Sequence, residues 1–333
     1  LNIFMRPPLI KNNKSDHKDA RLRDIFTLIN NYDIICLQEM FDTLSSRKMR
    51  MKVHSAKNGF LYFAESPPPA LLMSRQIIDG GLLTLSKYPI VESEFKAFSA
   101  GCEIDKVAEK GMLYTKISLP SFSLHLFNTH LQSSYDKKYS LATKNSFLVR
   151  FAQLIELRNF TITSLEKHKT QPQDAVILCG DLNMDFYGAP LDSKVYKMAF
   201  PEDMGFLTGE EVLNEYQLAM LMFEHGKKLK AVDLLVAKSN MPEPKYTYAD
   251  YYLDEAGKKI PCETTLTHKS DWTQAMRLDY MIRFFGTQSN DPEERVTFSK
   301  DLKEICEIDK LMIKDRPYTH LSDHYGVYLE FSQ

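Results

Sequence analysis

The stretch "ILCGDLNMD" at residues 177–185 ends an apolar run in glycine, aspartate and asparagine. Residues 176–178 indicate a buried strand, and Asp181 and Asn183 follow it two positions apart. An Asp-x-Asn sequence after a glycine is, on its own, common in turns. A carboxylate and an amide at the mouth of a buried strand also suit chemistry on a rigid element, so the rest of the chain must decide between these interpretations.

The composition narrows the class of protein. The 333 residues include 42 Lys and Arg against 44 Asp and Glu, a net charge of −2. No global basic field attracts nucleic acid, which argues against a duplex-binding nuclease. No apolar run reaches the roughly 18–20 residues of a membrane span. The five cysteines lack the close spacing of a metal site. Cys36 and Cys179 lie in apolar strands, where we expect them to pack as small hydrophobes.

The chain begins with Leu1 inside the strand-like stretch "LNIFM". We therefore expect the natural N-terminus to lie upstream and targeting information to be missing, which leaves localisation open between cytoplasmic and secreted. No repeat or low-complexity tract divides the sequence, and its first and last strands both need partners. We expect a single catalytic domain over residues 1–333.

Strand-like segments dominate the pattern, with a few amphipathic helices between them. Apolar residues on one helical face predict helices at 16–31, 142–168 and 209–225. Strands are predicted at 1–5, 33–40, 60–65, 80–98, 110–119, 123–131, 174–183, 277–285 and 323–333. This order predicts an α/β fold with two packed sheets flanked by helices.

Polar side chains recur where the predicted strands end. These are Asn2, Glu39, His130, Asp181, Asn183, Asp279, Asp323 and His324. Each one alone is more typical of a turn, a cap or a solvated surface. Strand ends at one rim of a sheet converge on one cleft, however, and this combination of side chains indicates phosphate-ester hydrolysis.

The chemistry suggests a role for each residue. Glu39, with Asn2 nearby, supplies oxygen ligands for magnesium, with manganese or another divalent cation as an alternative. His324, held in orientation by a carboxylate, is the natural general base for an attacking water. Asp181 can help to orient that water.

The remaining strand-end residues would stabilise charge on the phosphoryl oxygens or fix the orientation of a histidine. Asn183 and His130 can donate hydrogen bonds to phosphoryl oxygens as negative charge builds. Asp279 is placed to fix an imidazole tautomer, and Asp323 directly precedes His324. The sequence leaves open which carboxylate serves the histidine.

The motifs "LQEMFD", "NTHL", "CGDLNMD", "RLDYM" and "LSDH", in this order from Glu39 to His324, resemble the endonuclease/exonuclease/phosphatase superfamily. The resemblance spans nearly the whole chain, and residues 186–275 match least. It implies a four-layer αββα sandwich, with two central, mostly antiparallel sheets between helical layers. It also implies phosphoester cleavage with a divalent cation, usually magnesium.

Two further stretches are similar to neutral sphingomyelinases. They are "LQEMFD" followed by "GGLLTLSKYPI", and "DKVAEKG" at residues 105–111. In those enzymes an Asp and a Lys of the second stretch face the active site, which implies such a role for Asp105 and Lys110. Lys110 would meet phosphate oxygens as a point charge. The alternative is a solvated loop pair. His130 also stands where the sphingomyelinases carry a histidine.

The sequence therefore predicts a magnesium-dependent phosphodiesterase of the phospholipase C type. It would hydrolyse sphingomyelin, or a related choline phospholipid, to phosphocholine and ceramide or the matching lipid alcohol. The alternatives are a nuclease or phosphoinositide phosphatase of the same superfamily, and a catalytically silent binding module.

Two segments could contact the lipid. Leu71, Leu72 and Met73 follow a proline-rich turn, and they either face a bilayer or fold back over the sheet edge. Peripheral contact of this kind needs no membrane span. The tyrosines of "KYTYADYY", at 245–252, either hold a choline by cation–π contact or pack the sheet edge.

Overall fold

The computed structural model describes residues 1–8, 10–69, 76–134, 141–191, 212–237, 244–286 and 303–332. The lipid-contact residues predicted from the sequence, Leu71, Leu72 and Met73, lie outside the described residues, as does the start of the helix predicted at 209–225. Among the helices that are described, none is both long and apolar enough to span a bilayer.

Fourteen strands and five helices are described. The strands are β1 (Asn2–Met5), β2 (Ile34–Met40), β3 (Tyr62–Glu65), β4 (Leu83–Ser86), β5 (Ile90–Ala97), β6 (Gly111–Ser118), β7 (Ser123–His130), β8 (Ala175–Asp181), β9 (Leu229–Asp233), β10 (Tyr251–Leu253), β11 (Lys259–Pro261), β12 (Asp279–Gly286), β13 (Lys303–Asp309) and β14 (Gly326–Ser332). The helices are α1 (Lys18–Leu28), α2 (Arg47–Lys57), α3 (Leu141–Lys167), α4 (Glu215–Glu224) and the single turn α5 (Leu234–Ala237).

The strands form two large sheets. The first has the order β1-β2-β4-β3, and the second has the order β5-β6-β7-β8-β12-β9. Only β1–β2 and β7–β8 are parallel pairs within these sheets, so both are mostly antiparallel. Strands β10 and β11 form a short hairpin, and β13 pairs with β14.

Alternation along β8 explains how the second sheet is covered. Val176 and Leu178 pack against the cluster that contains Phe151 and Leu154 of α3. Ile177 lies between these two residues in sequence, and it belongs to the cluster that fills the space between the two sheets. Because successive side chains of a strand point to opposite faces, β8 contributes to two cores at once.

The first sheet is covered in the same way. Leu22 and Ile25 of α1 and Met51 of α2 lie with Leu85 in a second large cluster. Cys36 of β2 instead faces the inter-sheet cluster. The layer order is therefore helix, sheet, sheet, helix, which confirms the αββα sandwich predicted from the sequence.

Helix α2 was not predicted, because its inward face is not apolar. Lys48, Met51 and Ser55 are its buried residues, whereas Met49 and Val53 are more than half exposed. The buried lysine occupies a position where helix periodicity leads one to expect a hydrophobic residue.

Gly180, near the end of β8, sits in close contact with the neighbouring strand. Its φ is +150°, and a Cβ at this position would lie 2.0 Å from the carbonyl oxygen of Thr129. The parallel pairing of β7 and β8 therefore requires glycine at the position directly before Asp181.

We predict that Gly180→Ala destabilises the protein by roughly 3 kcal/mol or more, because the backbone of β7 would have to move. Gly257→Ala is the matched control: its φ is +76°, and an added Cβ there meets nothing within 4 Å. Backbone strain alone should cost about 1–2 kcal/mol at Gly257. Urea unfolding measures both free energies, and equal losses would contradict the argument.

Candidate active site

The site is built where three neighbouring strands of the second sheet end. In the register, His130 of β7 pairs with Asp181 of β8, which in turn pairs with Asp279 of β12. Directly paired residues point to the same face of a sheet, so one imidazole and two carboxylates form a row. His324 lies just before β14, and its backbone bridges to Tyr248.

The first sheet contributes Asn2 and Glu39 from the parallel pair β1–β2. The Asn2 Nδ2 donates to Glu39 Oε1 at 3.2 Å and to Asp181 Oδ2 at 3.0 Å, so one amide joins carboxylates of both sheets. The Asn2 Oδ1 accepts from the backbone N–H of Phe4 at 3.1 Å. In this geometry Asn2 orients the two carboxylates and turns its nitrogen, not its oxygen, towards them.

A buried ion pair holds the loop that follows Glu39. The Asp79 Oδ1 accepts from the backbone N–H of Asp42 at 2.8 Å and from the Thr43 hydroxyl at 3.3 Å. Its other oxygen pairs with Lys48, and both charged residues are 2% exposed. Removing one partner of such a pair leaves an uncompensated buried charge, which costs about 3–5 kcal/mol. The backbone around Glu39 is thus strongly fixed.

His324 lies between two carboxylates. Its Nδ1 is 2.8 Å from Asp279 Oδ2, and its Nε2 is 3.8 Å from Asp181 Oδ2. Burial disfavours the imidazolium, but Asp279 and Asp181 outweigh burial and raise the pKa of His324 to about 10. Asp279 is therefore the carboxylate that fixes the histidine, the assignment that the sequence left open.

Asp323 is also buried beside this group. Burial raises the pKa of the Asp323 carboxyl to about 7, although the neighbouring His324 acts in the opposite direction. The Ser322 hydroxyl lies 3.2 Å from Asp323 Oδ1 and 2.6 Å from the carbonyl oxygen of Asn2. This contact ties the chain before β14 to β1.

His130 has the opposite electrostatic character. It is 2% exposed, and its Nε2 is 3.2 Å from the Lys110 ammonium and 3.5 Å from Asp181 Oδ2. Burial and the lysine charge lower the pKa of His130 to about 3. The imidazole is therefore neutral, and since Nε2 faces a donor, Nδ1 carries the hydrogen.

Asp105 and Lys110 form a buried contact and not the solvated loop pair. The Lys110 Nζ donates to Asp105 Oδ2 and to the Leu131 carbonyl oxygen, each at 2.8 Å. Asp105 Oδ2 also accepts from the backbone N–H of Ser133 at 2.8 Å. His130 is a third neighbour of the ammonium, so its three N–H donors all face partners within the protein. A direct contact of Lys110 with phosphate stays a prediction.

Asn183 occupies a left-handed backbone conformation, with a φ of +52°. Asparagine tolerates this region better than most residues, which explains its place after the strand. Its backbone N–H donates to Asp181 Oδ1 at 2.9 Å, and its side-chain Nδ2 donates to the Leu131 carbonyl oxygen at 3.1 Å. The turn that the sequence suggested is therefore present, and it places the amide beside the carboxylate.

Several polar atoms of the site have no hydrogen-bond partner among the described residues. They are Glu39 Oε2, Asp279 Oδ1 and His130 Nδ1. Buried polar atoms are normally paired, so unpaired ones indicate where a substrate or ion binds. The ligand atoms of Asp181, Asp279 and His324 also lie within 4.8 Å of one another. These carboxylates fit a divalent cation, and Glu39 offers it an oxygen that accepts no hydrogen bond from the described residues.

Sequence reasoning missed three residues next to the site. Asp79 and Lys48 clamp the loop after Glu39, and Arg6 places its Nε 3.9 Å from Glu39 Oε2. "IDGG" around Asp79 is typical of a turn, so its buried carboxylate gave no separate signal. A buried lysine on a helix cannot be recognised until its partner is known.

We predict that Asp279→Asn lowers the pKa of His324 from about 10 towards or below its ordinary value. The substitution removes the negative charge that stabilises the imidazolium most. NMR titration of the imidazole in the metal-free protein measures this shift. Asp174→Asn is the control, since Asp174 lies 3.2 Å from the buried His125 instead. An unchanged His324 pKa in Asp279→Asn would show that Asp279 does not control it.

Comparison with curated proteins finds sphingomyelinases. A sphingomyelinase of Dictyostelium discoideum is 32% identical over 358 residues, covering 96% of this chain and 75% of the relative. Sphingomyelinase C of Bacillus cereus is 28% identical and covers 82% of this chain and 80% of the relative.

Comparison with solved structures gives the same fold. A crystal structure of beta toxin from Staphylococcus aureus matches 99% of this chain and 97% of its own, with a TM-score of 0.66 and 19% identity. A beta toxin mutant with bound magnesium ions matches with a TM-score of 0.63 and 18% identity, over 100% of this chain and 98% of its own. The profile of the Endonuclease/Exonuclease/phosphatase family matches residues 1–283, so this chain belongs to that family.

Proposed function

We propose that this protein is a magnesium-dependent phosphodiesterase of the phospholipase C type. It hydrolyses sphingomyelin, or a related choline phospholipid, to phosphocholine and ceramide or the matching lipid alcohol. The main support is the convergence of Glu39, His130, Asp181 and the Asp279–His324 pair on one rim across two sheets. The sphingomyelinases among the relatives support the choice of substrate.

Glu39 is the proposed ligand of the magnesium ion, because its Oε2 accepts no hydrogen bond from the described residues and the Arg6 guanidinium lies 3.9 Å away. A magnesium ion needs only one or two protein carboxylates, since substrate oxygens and waters fill its other positions. When bound, it supplies positive charge that offsets the charge of the phosphodiester. Asn2, which donates to both Glu39 and Asp181, then serves to hold the two carboxylates at fixed positions.

His324 is the proposed general base and Asp181 the residue that orients the attacking water. A base must be neutral before it accepts a proton, yet the two carboxylates hold the imidazole charged up to about pH 10. With a divalent cation held beside them, the field of these carboxylates would be weaker and the pKa of His324 would fall towards neutral pH. Cation binding and base activation are therefore linked.

His130 and Asn183 are the proposed donors to the phosphoryl oxygens. Neutral His130 offers the Nδ1 hydrogen, which has no acceptor among the described residues. On the other side of the ring, Lys110 contacts Nε2 and is itself paired with Asp105, and burial together with the lysine charge keeps the imidazole neutral. Such preorganised donors stabilise charge as it develops in the transition state.

Contact with a phospholipid surface remains part of the proposal. Leu71, Leu72 and Met73 are the segment predicted for it, and they lie outside the described residues. The substrate itself requires the protein to meet a lipid interface, and peripheral contact is sufficient for that.

Glu39→Gln should lower phosphocholine release from sphingomyelin vesicles roughly 100-fold or more, the scale of one lost main electrostatic contact. Release is measured with magnesium and with a chelator. Glu65→Gln is the matched control, because that carboxylate pairs with Lys52 at 2.6 Å on strand β3. Full activity in Glu39→Gln would refute the ligand assignment. Cleavage of DNA or a phosphoinositide instead of sphingomyelin would refute the substrate.

The link between cation and base predicts a specific pH dependence. The value of kcat/KM should fall as the pH drops through the pKa of His324, since only the neutral imidazole accepts a proton. Raising the magnesium concentration at constant ionic strength should move this acid limb to lower pH. The linkage would be contradicted if the acid limb of kcat/KM stayed at the same pH while the magnesium concentration rose from subsaturating to saturating.

A further inference from the structure

Three tyrosines lie together beside the site. The ring centroids of Tyr187 and Tyr246 are 5.4 Å apart, and those of Tyr246 and Tyr251 are 6.3 Å apart. Tyr187 is 38% exposed, and the other two are partly exposed. The Tyr187 hydroxyl accepts from the backbone N–H of Lys245 at 2.8 Å, which fixes this group to the chain that enters the β10–β11 hairpin. The rings form an aromatic surface outside the buried core clusters.

This surface lies within a short distance of the catalytic histidine. Tyr248 bridges to His324 through the backbone, and the two ring centroids are 4.8 Å apart. Tyr246 is two residues earlier in the chain. On the other side, Tyr187 follows Asn183 by four positions, and its backbone N–H donates to Asp185 at 3.1 Å. Both segments that carry the tyrosines are thus connected directly to residues at or next to the proposed phosphate site.

The environment of the rings favours a cation. The Lys259 ammonium already lies 4.1 Å from the Tyr251 ring centroid, so this aromatic face accepts positive charge. Burial, the neighbouring tyrosines and the carboxyl groups of Asp250 and Asp185 raise the pKa of the Tyr246 hydroxyl. Acidic groups therefore lie beside the same rings.

We propose that Tyr187, Tyr246 and Tyr251 bind the quaternary ammonium of a choline head group while its phosphate lies at the His324 site. This inference rests on the proposed function and adds the residues that select the head group. A quaternary ammonium cannot donate hydrogen bonds, so aromatic faces are the protein groups that recognise it best.

Calorimetry with two ligands of equal shape tests the proposal. Phosphocholine carries a quaternary nitrogen, and 3,3-dimethylbutyl phosphate has a carbon in the same place. With magnesium present, the protein should bind phosphocholine roughly 3- to 30-fold more tightly, the range of a partly desolvated cation–π contact. Tyr246→Phe should keep this ratio, and Tyr246→Leu should reduce it to about 1.

Two further variants make the test specific. Tyr252→Leu changes a 56% exposed tyrosine of the same hairpin outside the three-ring group, and it should keep the ratio. Lys259→Met removes the resident cation from Tyr251 and should tighten phosphocholine binding about 2-fold, without affecting the neutral ligand. If Tyr246→Leu melts at a lower temperature, Tyr251→Leu replaces it.

Equal affinity for the two ligands in the unmodified protein would overturn the proposal, as would an unchanged ratio in the leucine variants. Hydrolysis of sphingomyelin without any preference in binding would reject the head-group site and leave the proposed function intact. A preference that disappears in Tyr246→Leu, in a protein that hydrolyses no choline lipid, would support the cation site and reject the proposed function.

Discussion

The amide of Asn2 joins Glu39 of one sheet to Asp181 of the other, and the site depends on this contact. Two neighbouring carboxylates repel each other unless a donor or a cation lies between them. Gln38 and Asn128, both fully buried, make a second bond between the sheets at 2.6 Å. Because each half of the site belongs to a different sheet, these polar contacts fix the alignment that brings the halves together.

The charges around the site are arranged before any substrate arrives. His324 is surrounded by carboxylates and is held charged, whereas His130 lies beside a lysine and is held neutral. Two histidines therefore have opposite charge states a short distance apart, set by burial together with the charges of their neighbours. A divalent cation held by Glu39 would change this balance in the direction that catalysis needs, and the Glu39 Oε2, which accepts no hydrogen bond from the described residues, is the oxygen that would hold it.

The sequence predicted the sandwich and the convergence of polar side chains at one rim, for physical reasons. Strand ends such as "CGDLN" combine apolar alternation with polar residues that must lie at a rim, and both signals are local. It did not predict α2, because Lys48 faces inward and its partner Asp79 is distant in sequence. The orientation of Asn2 and the full occupancy of Lys110 also depend on contacts between separate elements.

Hydrolysis of sphingomyelin in water enriched in oxygen-18, with magnesium present, tests the central claim most directly. Attack of water on phosphorus, with the lipid alcohol as leaving group, predicts one heavy oxygen in phosphocholine and none in ceramide. Mass spectrometry of both products reads this out. Release of free choline, or a heavy oxygen in ceramide, would contradict a phospholipase C-type reaction at this site.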